Sequence, residues 1–196
     1  MPWDAETLPH QRADGRLHLV MGRRGLSRLH HRAPLRALFP DGERHAAPEV
    51  ALANVAGGLA GGDAVTTEVA LEPGARATLT GAAAEKVYRS LGAATRVTAR
   101  LTLGEGAALE WLPQETILFD GARLDRRMEV ALAPGARLLA TEMLVFGRVA
   151  RGERFATGFL RDAWRVRGPG GLIWADALRL DDPAGQLAAR FGLAGA

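Results

Sequence analysis

Leu71–Leu79 (LEPGARATL), Leu103–Leu109 (LGEGAAL) and Leu132–Leu139 (LAPGARLL) carry one turn signature three times over. Its glycines, Gly74, Gly106 and Gly135, are 32 and 29 residues apart, a period in the range of stacked repeat architectures. The flanks alternate as half-buried strands do. Before the first turn Val65, Thr67, Val69 and Leu71 share a face against Thr66 and Glu68. Before the second, Val97, Ala99, Leu101 and Leu103 oppose Arg96, Thr98, Arg100 and Thr102; before the third, Glu129 and Ala131 separate Met128, Val130 and Leu132. Apolar positions resume after each turn, as in Ala107, Leu109 and Trp111, so each signature joins two strands. The expected fold is mainly β: a β-helix-like stack of short strands and sheets with one or two short helices.

Working outward, 196 residues suit a single domain, 1–196, with a core of its own, and 47% hydrophobic with 24% charged residues is the balance of a folded chain. The absence of cysteine excludes disulfides, thiolate metal sites and cysteine nucleophiles. The opening MPWDAETLPHQ lacks a cationic segment followed by an apolar one, and no run of about 18 apolar residues occurs, so a cytoplasmic location without a membrane partner is expected. The formal charge is only +3, and the pI of about 10.4 reflects a preference for arginine, Lys86 being the sole lysine. Gly22–Arg36 (GRRGLSRLHHRAPLR) concentrates basic residues but holds no aromatic to stack on bases; it reads as a solvated or partner-facing surface, with an RNA-binding β module as the alternative. The best helix is DDPAGQLAARFGL, with Asp182 as N-cap, Pro183 at the first position and Leu187, Ala188 and Phe191 along one side. For AAAEKVYRS, alanine favours helix while the flanking strands compete, and both readings stay open.

Four segments could carry chemistry. NVAGGLAGGD, Asn54–Asp63, is glycine-dense, yet no Gly-Lys-Ser/Thr follows and the next residues alternate as a strand, so it reads as a turn, with Asp63 kept as a candidate ligand. AAAEKVYRS holds the only lysine and the only tyrosine, Lys86 and Tyr88, beside Glu85 and Arg89, which would pair at i, i+4 on a helix. In EWLPQETILFDG, Glu110, Gln114 and Glu115 sit among apolar residues, and such oxygen donors hold a divalent ion weakly. In LLATEMLVFGR, Glu142 is the one ionisable group from Leu138 to Phe146; a carboxylate there must be paired, protonated or wet, and Arg148 or Arg151 is the expected partner. Adjacent His30 and His31 point to opposite faces of a strand, which disfavours a shared metal site. Ser27 and Ser90 lie in no nucleophile elbow. A carboxylate pair such as Glu115 and Glu142 leaves a β-helix carbohydrate-active enzyme as a further alternative.

Taken together, NVAGGLAGGD, AAEKVYRS, WLPQETILFDGARLDRRMEV and LLATEMLVFGR, in this order, closely resemble the UreD (UreH) family of urease accessory proteins. GRLHL, GRRGLSRL and APLRALFP resemble that family's opening, and the likeness runs from about Gly15 to the C-terminus. The resemblance implies a β-helix-like fold and a non-catalytic nickel-insertion chaperone that binds UreF, recruits the GTPase UreG, contacts apo-urease and forms a possible dimer of the accessory complex. GTP hydrolysis then belongs to UreG. It implies no tightly bound cofactor, with nickel in transit through an internal passage. Asp63, Glu85, Glu115 and Glu142 become candidates for that path, and Gln114, Lys86, Tyr88, Arg89 and Arg148 for the passage or partner surfaces. Family members usually continue beyond the position of Phe191, so a C-terminally shortened member is expected.

Overall fold

The computed structural model describes residues 11–40 and 48–181. Strands β1 (Asp14–Gly22), β2 (Gly25–Arg32), β3 (Leu35–Leu38) and β4 (Glu49–Asn54) lead into three regular coils of three strands each. These are β5 (Ala64–Leu71), β6 (Arg76–Gly81) and β7 (Glu85–Val87); β8 (Thr95–Leu103), β9 (Ala108–Leu112) and β10 (Thr116–Leu118); and β11 (Arg123–Leu132), β12 (Arg137–Ala140) and β13 (Leu144–Phe146). A 3-10 turn, Val149–Arg151, precedes the closing hairpin of β14 (Phe159–Gly168) and β15 (Gly171–Asp181).

Stacking the coils makes three sheets. The long one runs β15-β14-β11-β8-β5-β1-β2, the second β12-β9-β6-β4-β3 and the short one β13-β10-β7. Coil-to-coil pairings are parallel, and antiparallel hairpins lie only at the ends, β1 with β2, β3 with β4 and β14 with β15. This is a β-solenoid of about 4 turns.

The repeat seen in the sequence is the rise of the solenoid. Val65 pairs with Val97 and Val97 with Arg126, the same offsets of 32 and 29 residues that separate the turn glycines. Gly74, Gly106 and Gly135 adopt φ of 71°, 64° and 68°, the left-handed region in which a Cβ is penalised. The turns also stack, the Gly74 N–H donating to Glu105 O at 2.8 Å and the Gly106 N–H to Pro134 O at 3.0 Å.

In-register pairing turns one face of the long sheet into columns. Leu19, Val69, Leu101, Val130 and Val166 line up from β1 to β14, and all but Val166 are buried. Each such buried side chain contributes roughly 1.5–3 kcal/mol. Between the long and second sheets they form the main core with Leu79, Leu109 and Trp111. Val87, Leu118, Leu124, Phe155, Leu160 and Leu180 form a smaller one towards the short sheet.

AAAEKVYRS resolves as extended: Glu85–Val87 is β7, held by pairing with Thr116–Leu118. Alanine's helix propensity is overridden by that long-range ladder. The helix read from Asp182 onward lies outside the described residues. Among the described residues, no helix is long and apolar enough to cross a membrane.

Candidate functional site

At each passage from the second sheet to the short one the chain turns a corner without strand pairing, and the successive corners stack. The Glu85 N–H donates to Glu115 O and the Thr116 N–H to Met143 O, both at 2.9 Å. The fit is tight: a Cβ on Gly81 would lie 2.7 Å from the Gln114 backbone nitrogen. Beneath these corners, between the long and second sheets, lies a cavity of about 240 Å³. Its polar lining includes Asn54, Glu85, Gln114, Arg126 and Glu142.

Arg126 is the unexpected member. It occupies an inward position of β11, in a column with Gly15, Val65, Val97 and Asp162, where the alternation calls for an apolar residue. Its guanidinium forks onto Asp162, Nε to Oδ1 at 3.0 Å and Nη2 to Oδ2 at 2.6 Å, and also meets Glu142 Oε2 at 2.8 Å. Glu142 further accepts the indole N–H of Trp164 at 3.1 Å. Arg148 and Arg151, the partners expected for Glu142, are not used; Arg148 pairs with Glu153 instead. The reason is geometric: Glu142 is not on a strand but in the corner between β12 and β13, which points it inward at β11.

The three charges are almost fully buried, with side-chain exposures of 9% for Arg126, 11% for Glu142 and 12% for Asp162. One cation faces two carboxylates, so full ionisation leaves a net negative charge inside the protein. Burial is the main cause pushing the Glu142 carboxyl up to about 7; Arg126 opposes the shift and the Asp162 charge adds to it. Burial also works against the Arg126 charge, but the Asp162 hydrogen bond and both carboxylates outweigh it and hold the guanidinium above its ordinary value. Trp111 Nε1 is a buried donor without a well-formed hydrogen bond, close enough to Glu142 to favour its charged form. At the other end of the cavity Asn54 Nδ2 donates to both oxygens of Glu85, at 3.1 and 3.0 Å. Burial raises the Glu85 carboxyl, against the Asn54 bond, the Lys86 N–H and the Lys86 charge.

The remaining sequence candidates fall elsewhere. Asp63 is buried at the start of β5, where its carboxylate accepts the Ala13 N–H at 2.9 Å and the Ala60 N–H at 2.7 Å, fastening the glycine-dense turn to the first strand. In that turn a Cβ on Gly61 would sit 2.0 Å from Ser90 Oγ, so close packing requires the glycine. Glu115 offers its carbonyl to β7 and is not part of the cavity lining, which separates it from Glu142. Lys86, exposed on β7, is the exception and borders the cavity next to Glu85.

Tyr88, Arg89 and Arg148 gather on the rim of the short sheet. Tyr88 packs edge-to-face on Phe119, with centroids 5.0 Å apart, and donates to Gly57 O at 2.8 Å. Arg148 lies over the same Phe119 ring, 4.2 Å from its centroid. Arg89 pairs with Asp120 at 2.7 Å, in place of the helical pairing with Glu85. Asp120 and Glu153, absent from the sequence candidates, are the fastening groups of this rim. Asp120 accepts the Ala156 and Thr157 N–H groups, and Glu153 accepts the Asp120 N–H. Chiefly through those backbone bonds, both carboxyls are held below their ordinary values.

Arg126 and Asp162 were also absent from the candidates, although a signal for them exists. Carrying the alternation of Met128 and Val130 two residues back places Arg126 inward, and the alternation of Leu160, Trp164 and Val166 does the same for Asp162. Among the described residues no group of three or more His, Cys, Asp or Glu side chains could hold a metal ion.

Fold and site together define a parallel β-solenoid that buries a charged cluster at the wall of a partly open cavity. Residues 11–196 match the model of the UreD urease accessory protein family. The chain is 57% identical over 150 residues to the urease accessory protein UreD of Granulibacter bethesdensis, covering 76% of this chain and 62% of that one. It is 49% identical over 191 residues to UreD 1 of Methylobacterium radiotolerans, covering 94% and 66%. The chain belongs to the UreD family of urease accessory proteins. It spans just under two thirds of the length of these relatives.

Proposed function

We propose that the chain is a non-catalytic nickel-insertion chaperone, which docks UreF and, through it, UreG onto apo-urease, and that hydrated nickel passes through its internal cavity as cargo. GTP hydrolysis belongs to UreG in this reading. The observation that supports it best is the Arg126–Glu142–Asp162 cluster at the cavity wall. An apolar core gains nothing from burying such a cluster, since a buried ion pair is weak evidence for stability. A cation passing through the cavity would find carboxylate oxygen at Glu85 and Glu142.

The donors suit transit rather than storage. They are oxygen ligands, Glu142 is already shared with Arg126, and Glu85 is occupied by Asn54. In this reading the path runs past Glu85 and Glu142; of the other two carboxylates proposed from the sequence, Asp63 is engaged by the Ala13 and Ala60 N–H groups and Glu115 lies outside the cavity lining. The rim of Tyr88, Arg89 and Arg148 is the surface proposed for accessory partners.

The test is a pull-down from cells co-expressing the tagged chain, UreF, UreG and apo-urease, with nickel withheld. The expected result is a stoichiometric assembly. A folded chain that retains none of the three contradicts the scaffold reading.

A further inference from the structure

The outer face of the long sheet presents a second feature. Over β11, β14 and β15 lies an open depression of about 860 Å³. Its floor is small because Ala163 on β14 pairs with Ala177 on β15, and Arg165 with Ala175. Arg100, Arg127, Arg161, Arg165 and Arg167 border it, against the carboxylate of Glu129.

Most of this charge is answered inside the sheet. Arg100 bridges Glu68 at 3.2 Å and Glu129 at 3.1 Å, while Asp125 takes Arg127 at 3.1 Å and Arg161 at 3.9 Å. Arg165 and Arg167 are left over: both are exposed, and neither forms an ion pair among the described residues. Unpaired guanidiniums around a floor of alanine make a positive trough, whose natural complement is a run of carboxylates.

We propose that this trough docks an acidic polypeptide segment of a partner protein, with Arg165 and Arg167 as its anchors. Nucleic acid fits less well. Single-stranded RNA binding draws on aromatic stacking, and the one aromatic bordering the trough, Trp164, has its indole N–H turned inward onto Glu142. The interleaved Glu129 would also repel a continuous phosphate backbone, whereas a polypeptide can match alternating charge.

The experiment measures fluorescence anisotropy of a labelled peptide of alternating glutamate and alanine, titrated with the full chain. Three variants are compared: Arg165→Glu/Arg167→Glu, which reverses the anchors; Ala163→Phe, which fills the floor without changing charge; and Arg24→Glu/Arg28→Glu, on the exposed edge at the sheet's other end. The expected result is saturable binding, weakened roughly tenfold or more by each of the first two variants and by less than about twofold by the third. A single-stranded RNA of equal charge should bind more weakly than the peptide. Absence of peptide binding, equal weakening by the variant at the far edge, indifference to Ala163→Phe, or tighter binding of the RNA would each overturn the proposal.

Discussion

Strand β11 carries two charge clusters that differ in which way they face. On its outer side Glu129 belongs to a ladder with Arg100 and Glu68, each side chain about half exposed at 49%. On its inner side Arg126 meets Glu142 and Asp162 with about a tenth of each side chain exposed. Both are triads of one arginine and two carboxylates, the outer set wholly by coil-to-coil register and the inner by that register for Asp162 and by a corner for Glu142. The outer triad stays hydrated and is screened by salt. The inner one is nearly shielded from solvent, so each member depends on the others and one proton decides the charge of the cluster. Burial, and not the chemistry of the pair, separates a surface decoration from a candidate site.

The largest effect that would sharpen this contrast is removal of the inner cation. Arg126→Ala leaves two carboxylates facing each other in the interior and should cost about 3–5 kcal/mol in chemical denaturation. A loss below about 1 kcal/mol would place the inner triad on a par with the outer.

Next comes the pH dependence of Glu142. Its folded value, about 7, lies above the ordinary 4.5, so between those values the folded chain holds a proton that the unfolded chain has released. This contribution to stability is complete below pH about 4.5 and is lost as pH rises through about 7, by at most about 3 kcal/mol. Denaturation of Glu142→Gln across that window should lack this component and gain on the wild type as pH rises. Parallel profiles for the two proteins would show that Glu142 titrates normally.

The smallest effect belongs to the outer ladder. Arg100→Ala should cost under about 1 kcal/mol, and the difference should shrink further in high salt. A salt-independent loss as large as that of Arg126→Ala would erase the distinction between the faces.

The legible parts of the fold were those with enough residues to show a period. Strands of the long sheet run to 8–10 residues in the regular coils, and their alternation and turn glycines stand out in the sequence. The short sheet's strands have 3 residues each, too few for any period, and Glu85–Val87 becomes a strand only through its neighbours in the stack. The site shows the same divide. Glu142 stands out as a lone carboxylate in an apolar run, but its partners are distant in sequence, Arg126 16 residues before it at the start of the same coil and Asp162 20 residues after it in the closing hairpin. Local sequence favoured Arg148, which the structure commits to Glu153 and the Phe119 ring.

Whether the inner triad serves nickel is tested most directly by Glu142→Ala in cells that co-express the chain with UreF, UreG and urease, reading nickel-dependent urease activity alongside co-purification of the assembly. The account predicts lowered activation with the assembly still recovered. Full activation of urease by Glu142→Ala, or loss of the assembly itself, would contradict it.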